Sequence, residues 1–145
     1  MERGESELDA ARRDGEPLAL ALIDVDDFKS VNDLAGHAEG DRTLQRLAAI
    51  LCSGARATDI VARFAGDEFV VVLPRTLERD AEGRIARLSR ELRASSVLCS
   101  IGVALLEGDA SFQELFDRAD AALYETKRRG KDGFTFAASL KHSGC

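Results

Sequence analysis

The sequence predicts an α+β domain with a central, mainly antiparallel sheet flanked by helices, and three observations carry that expectation. Residues 17 to 25, "PLALALIDV", are apolar on both alternating faces, the pattern of a short strand covered from each side. The runs "DIVARF" and "EFVVVL" are rich in β-branched and aromatic residues and are separated by "AGD", where glycine supplies the positive φ that a tight hairpin demands. Amphipathic helical segments fill most of the remaining chain. The resulting order, β-α-α-β-β-α-β-α-β, sets the hairpin between crossovers, as in the ferredoxin-like split β-α-β unit.

Taken in order, residues 2 to 14, "ERGESELDAARRD", have helix-forming composition but few apolar positions, and predict a marginal, frayed helix that stops at Gly15. After the first strand, "FKSVNDLAGH" predicts a short helix ended by Gly36. "AEGDRTLQRLAAILCSGA" predicts a longer one, with Leu44, Leu47, Ala48 and Leu51 at three-to-four spacing. Beyond the hairpin, residues 76 to 94 predict a charged helix with Ile85, Leu88 and Leu92 inward. "SVLCSIGVALL" then reads as a strand, "SFQELFDRADAALYETKRR" as the last helix, and "GFTFA" as a short closing strand. The expected organisation is a partial N-terminal helix or linker over 1–16, one domain over 17–138 and a flexible tail over 139–145.

Bulk properties narrow the function. A chain of 145 residues holds one domain with a sizeable core. Its longest apolar run falls well short of the roughly twenty residues that span a bilayer. The opening "MERGESELDA" has no apolar stretch ahead of a small-residue cleavage site, so the cytoplasm is the expected compartment. A formal charge of −6 argues against broad electrostatic binding to nucleic acid or to a membrane, yet leaves room for a small anion where basic residues converge. Cys52, Cys99 and Cys145 are odd in number, widely spaced and without a CxxC pair, which argues against a disulfide framework or a zinc site. Cys52 and Cys99 are expected to be buried thiols.

The acids are the chemical signal. Asp24 and Asp26 share one face if the first strand stays extended, and strand pairing can bring Asp67 and Glu68 beside them. Isolated Asp26 or Asp27 reads as a helix-cap or turn acid. Consecutive Asp67 and Glu68 at the root of a valine-rich core strand are costly to bury without a partner. A hard divalent cation with oxygen ligands relieves such repulsion, and Mg²⁺, which keeps room for water and phosphate oxygens, fits best. Within residues 24 to 41 lie Lys29, Asn32, His37 and Asp41. An Asn that donates and accepts, paired with an Asp that accepts twice, matches the Watson-Crick edge of guanine. The late segment "KRRGKDG" is either a solvated basic cluster suited to a helix C-terminus or, through Lys127 and Lys131, a set of phosphate ligands.

Together "LIDVDDFKSVNDLAGHAEGD", "RATDIVARFAGDEF", "CSIGVA" and "ADAALYETKRRGKD" closely resemble the GGDEF domain family of diguanylate cyclases, over roughly residues 17 to 136. The resemblance implies a fold similar to the palm of nucleotide cyclases and polymerases. The implied reaction condenses two GTP molecules into cyclic di-GMP with release of pyrophosphate, in a homodimer. It implies Mg²⁺, with Mn²⁺ as the alternative, held by Asp24, Asp67 and the Val25 carbonyl. Glu68 is implied as a further metal contact or as the base for the attacking 3′-hydroxyl. Asn32 and Asp41 match guanine contacts, Lys29, Lys127 and Lys131 phosphate contacts, and Phe28 and the Gly66 backbone the walls of the phosphate pocket, with His37 in the same substrate-binding stretch. "RATD" matches an RxxD product-inhibition site in which Arg56 and Asp59 bind cyclic di-GMP, with Arg87 or Arg90 completing it.

Three departures stand out. The first signature position is Ala65 rather than glycine, which a hairpin accepts where φ is negative. Lys131 replaces the more usual arginine and loses its bidentate fork. The DxLTGLxNR segment that normally precedes the first strand is missing, as is any sensor or dimerisation region, so the expectation is either a fragment or truncated piece of a longer protein that lacks that region or a stand-alone cyclase with weak self-association. Two alternatives remain beside an active cyclase: a module that binds GTP or cyclic di-GMP without turnover, and a nucleotidyltransferase or cyclase acting on one nucleotide.

Overall fold

The computed structural model describes residues 2–139 and places β1 (Leu18–Val25) at the centre of a five-stranded sheet, with every residue of that strand buried. The strand order is β2-β3-β1-β4-β5, where β2 is Ile60–Ala65, β3 is Glu68–Pro74, β4 is Cys99–Leu105 and β5 is Gly133–Phe136. Every pairing is antiparallel except β4 with β5, which is parallel. The mainly antiparallel α+β sheet expected from the sequence is therefore the observed one.

Alternation along β1 sends its side chains into two cores. Ala19, Ala21, Ile23 and Val25 pack with Leu44, Leu47 and Leu51 of α3 (His37–Ser53) and with Ala81, Ile85 and Leu92 of α4 (Glu78–Ala94). Leu18, Leu20 and Leu22 face the other way, onto Leu8 and Ala11 of α1 (Glu2–Asp14) and Leu115, Ala119 and Leu123 of α5 (Phe112–Arg128). The short α2 (Phe28–Ala35) buries none of its residues and packs on α3. No helix among the described residues is long and apolar enough to cross a membrane.

Two expectations need correction. α1 is docked rather than frayed: Gly4, Leu8 and Ala11 form a narrow buried stripe, with Leu8 only 1% exposed. A helix of this length is marginal alone in water, and burial of Leu8 contributes about 2 kcal/mol towards holding it. The helix ends where Gly15 takes φ +66° and the Glu16 N–H donates to the Ala11 carbonyl at 2.9 Å, a Schellman closure. Cys52 is exposed, because it follows buried Leu51 on the outward side of α3, whereas Cys99 is buried in β4 as expected. The expected tail over 139–145 lies outside the described residues apart from Ser139, and Cys145 lies outside them entirely.

α5 lies close against β4. A Cβ on Gly102 would sit 2.2 Å from the Ala119 carbonyl oxygen and 2.3 Å from the Leu123 nitrogen, both backbone atoms that no rotamer change can move aside. Gly102→Ala is expected to destabilise the fold by roughly 2–3 kcal/mol, read as a lower urea midpoint with an unchanged slope.

Candidate active site

The register of the sheet builds the site. Asp24, next to last in β1, lies opposite Glu68 on β3 and Ser100 on β4. The β2–β3 hairpin turns through Gly66, at φ +29°, and Asp67, after a register shift between Arg63 and Ala65. Arg63 Nε donates to the Gly66 carbonyl at 2.8 Å, and the Val25 N–H donates to the Asp67 carbonyl at 3.3 Å. The turn is thereby tied to the end of β1. Ala65 is outside the positive-φ set, so its methyl imposes no backbone strain.

Asp24 and Glu68 occupy the face that α5 covers, and Lys127 of α5 forms an ion pair with Asp24. The next residue back, Thr126, fixes that part of the helix: its hydroxyl is 2.8 Å from the Ile101 carbonyl and 2.8 Å from the Thr135 hydroxyl. Burial, reinforced by neighbouring Asp67, raises the Asp24 carboxyl above its ordinary value despite Lys127. Burial together with the charges of Asp24 and Asp120 raises Glu68. For Lys127, burial opposes the charge, but the hydrogen bond and charge of Asp24, aided by Glu68 and Asp67, outweigh it and raise the ammonium. One lysine thus offsets a corner crowded with carboxylates and does not fully neutralise it.

That corner suits a cation. Asp24 Oδ1 is buried without a hydrogen-bond partner among the described residues, and a second carboxylate, Asp67, stands beside it. No three metal-binding side chains close around one point among the described residues. Two carboxylates and a carbonyl, completed by phosphate oxygens and water, are the kind of shell in which Mg²⁺ is held on nucleotides.

Around this centre the other sequence-selected residues divide. Phe28 opens α2 and packs half-buried on the core, while Lys29 is exposed beside it. Asn32 on α2, and His37 and Asp41 on α3, lie along the α2–α3 pair; His37 and Asp41 are exposed. Asp27 stands at the N-cap position of α2 but does not cap it; its carboxylate binds Lys131 Nζ at 2.6 Å instead. Asp26 also serves the structure, accepting from the Ser100 hydroxyl at 2.6 Å and the Asp132 N–H at 2.9 Å. The basic segment after α5 is therefore fastened to the root of the acid cluster.

A cleft of about 330 Å³ lies on the α3–α4 side, away from these acids. Asp59 lies buried in it, accepting from the Arg56 N–H at 2.7 Å and pairing with Arg84. Asp59 Oδ1 and Arg84 Nη1 are both buried and unpartnered among the described residues. Arg84 was not selected from the sequence. Arg87, which was, lines the same cleft, with its guanidinium exposed and 3.5 Å from Glu91. Helical spacing explains the difference: Arg84 lies one turn before Arg87 and beside buried Ile85, so its side chain points under the α3–β2 loop.

The family description "Diguanylate cyclase, GGDEF domain" matches residues 2–133. The chain belongs to the GGDEF domain family. It is 40% identical over 140 residues to diguanylate cyclase DgcP of Pseudomonas aeruginosa, covering 90% of this chain but only 21% of that protein. Among solved structures it is similar to the GGDEF domain of DgcB from Caulobacter crescentus in complex with c-di-GMP, at TM-score 0.88, 28% identity, and 95% and 88% coverage of the two chains. It is equally similar in shape to the active GGEEF domain of a diguanylate cyclase from Vibrio cholerae, at TM-score 0.88, 27% identity, and 94% and 92% coverage. The palm-like α+β fold that the motifs implied is thus the fold of the GGDEF domains it resembles.

Raised carboxyl pKa values in the GGDEF corner set the sign of its pH response. A folded value above the unfolded one means that the folded state binds the proton more tightly, so this contribution to stability is present at low pH. It is lost as pH rises from the ordinary Glu value of 4.5 through the raised one. Glu68→Gln is expected to raise the melting temperature of the metal-free protein at pH 7 and to flatten its fall between acidic and neutral pH, as read by calorimetry across that range.

Proposed function

We propose that this GGDEF domain is a diguanylate cyclase that condenses two GTP into cyclic di-GMP, with two copies of the domain facing each other. The observation that carries this reading is the convergence of Asp24, Asp67, Glu68 and Lys127 at one end of the sheet, with a buried carboxylate oxygen left unpartnered. The likeness to named diguanylate cyclases supports it.

In each half-reaction the 3′-hydroxyl oxygen of one GTP bonds to the α-phosphorus of the other, and the bond to the α,β-bridging oxygen breaks, releasing pyrophosphate. The hydroxyl proton passes to Glu68, which stands opposite Asp24 across the β1–β3 pair. Asp24, Asp67 and the Val25 carbonyl would hold Mg²⁺, or Mn²⁺, which would supply charge stabilisation on the phosphoryl group. Lys29, Lys127 and Lys131 bind the phosphates, and the last two must leave Asp24 and Asp27 to do so. The Gly66 turn and Phe28 wall the phosphate pocket, beside His37. Asn32 and Asp41 select guanine. Because each domain holds one GTP, the two sites must meet for either hydroxyl to find its target.

The cleft around Asp59 is proposed to bind the product. Its unpartnered acceptor on Asp59 and donor on Arg84 complement a guanine edge and a phosphate, with Arg56 and Arg87 at the rim. Occupation of this cleft by cyclic di-GMP restrains the domains and lowers the rate.

Incubation of the chain with GTP and Mg²⁺ over a wide range of protein concentration, with chromatography of the products, tests the proposal. Cyclic di-GMP is expected, with specific activity rising with protein concentration, and Asp67→Asn is expected to lower the rate roughly 10²–10³-fold. Tight binding of GTP with no product at any concentration would instead identify a binding module, and a product from a single nucleotide would identify a different transferase. Arg87→Ala, at an exposed position, is expected to weaken cyclic di-GMP binding roughly tenfold through loss of one charge-assisted hydrogen bond, read by calorimetric titration, while activity at low product is unchanged.

A further inference from the structure

Gly40 sits in the first turns of α3, buried, in a helix where alanine would be the better former. Its backbone is ordinary helix, outside the positive-φ set, so conformational freedom does not account for a glycine there. Space does. A Cβ at position 40 would lie 1.8 Å from Asn32 Oδ1, 3.0 Å from Asn32 Cγ and 3.3 Å from Phe28 Cζ. Asn32, Gly36 and Gly40 follow one another at four-residue steps around the α2–α3 corner. Gly36 turns the chain at φ +88°; its N–H donates to the Asn32 carbonyl at 2.9 Å, and the Gly40 N–H donates to the Gly36 carbonyl at 3.2 Å. The corner therefore brings the Asn32 side chain down onto the bare Cα of Gly40, with the Phe28 ring closing the far side and itself packed on the core.

We infer that Gly40 is a positioning residue for base recognition: its missing side chain is what allows the Asn32 carboxamide to hold the orientation that reads guanine. This rests on the proposed role of Asn32. No hydrogen bond to the Asn32 side chain occurs among the described residues, so its close approach to the bare Cα of Gly40 sets its orientation. A methyl group at position 40 displaces Asn32 into another rotamer, because the atom it meets is the end of that side chain while the ring behind it is anchored.

The test is a double-mutant cycle on the full chain, with Gly40→Ala, Asn32→Ala and both together. Each is titrated with GTP and ATP analogues that carry a methylene bridge between the α and β phosphorus atoms, and each is melted without nucleotide. Gly40→Ala and Asn32→Ala are each expected to lower GTP-analogue affinity and the GTP-to-ATP preference roughly tenfold, with the double variant no weaker than Asn32→Ala alone. The melting temperature of the double variant is expected to recover towards that of Asn32→Ala, because truncating Asn32 removes the clash. A purely structural glycine would shift melting and leave the GTP-to-ATP preference intact, which overturns the inference and spares the guanine reading. Losses that add in the double variant overturn it too. Unchanged preference in Asn32→Ala overturns the guanine reading and the inference with it. Should Gly40→Ala fail to fold, a double variant that folds and binds like Asn32→Ala supports the steric coupling, and one that fails as well overturns it.

Discussion

The acid corner at the end of β1 sets the terms for the rest of the molecule. Asp24 and Glu68 are fixed opposite each other by the β1–β3 register, and the hairpin turn delivers Asp67 to the same place. Burial, reinforced by the neighbouring carboxylates, is why the Asp24 and Glu68 carboxyls are both raised. Lys127 is the cation that keeps the arrangement tolerable without metal. The charges of this corner are only part-compensated, so packing elsewhere in the fold has to hold the arrangement together.

It does so through α5. The ammonium of Lys127 reaches Asp24 only because the helix lies close on β4, and that closeness depends on the bare Cα of Gly102 and on the hydroxyl of Thr126 against the Ile101 carbonyl. The apolar stripe of Leu115, Ala119 and Leu123 provides the burial that holds the helix down. Beyond it, the chain turns through Gly130 and Lys131, both at positive φ, and Asp132 is held by Asp26 through its N–H. Asp26 therefore commits its carboxylate to the Ser100 hydroxyl and the Asp132 N–H, which leaves Asp24 and Asp67 as the carboxylates available to the proposed cation.

Periodicity made the sheet and most helices legible. β1 reads as double-sided, the hairpin announces itself by its "AGD" turn, and the signature acids stand where register must bring them together. α1 was underestimated because only Leu8 and Ala11 mark its buried side, and the value of such a thin stripe depends on the partner it meets. Cys52 was misplaced because a cysteine next to buried Leu51 carries no sign of which way its helix turns. Arg84 escaped notice for a related reason: several arginines follow one another on α4, and only the packing of Ile85 decides which of them points at Asp59.

The glycines separate what a sequence discloses from what it withholds. Gly15, Gly36 and Gly66 take positive φ, and turn or helix-end neighbours betray each of them in advance. Gly40 and Gly102 have ordinary backbones and lie inside a helix and a strand, where propensity argues against them. Their reason is the atom across the gap: Asn32 for one, the backbone of Ala119 and Leu123 for the other. Because the first meets a movable side-chain end and the second meets fixed main chain, the same substitution to alanine acts on different properties at the two positions. At position 102 the helix must lift and stability falls. At position 40 the neighbour can rotate away, and what is lost is the direction in which it points.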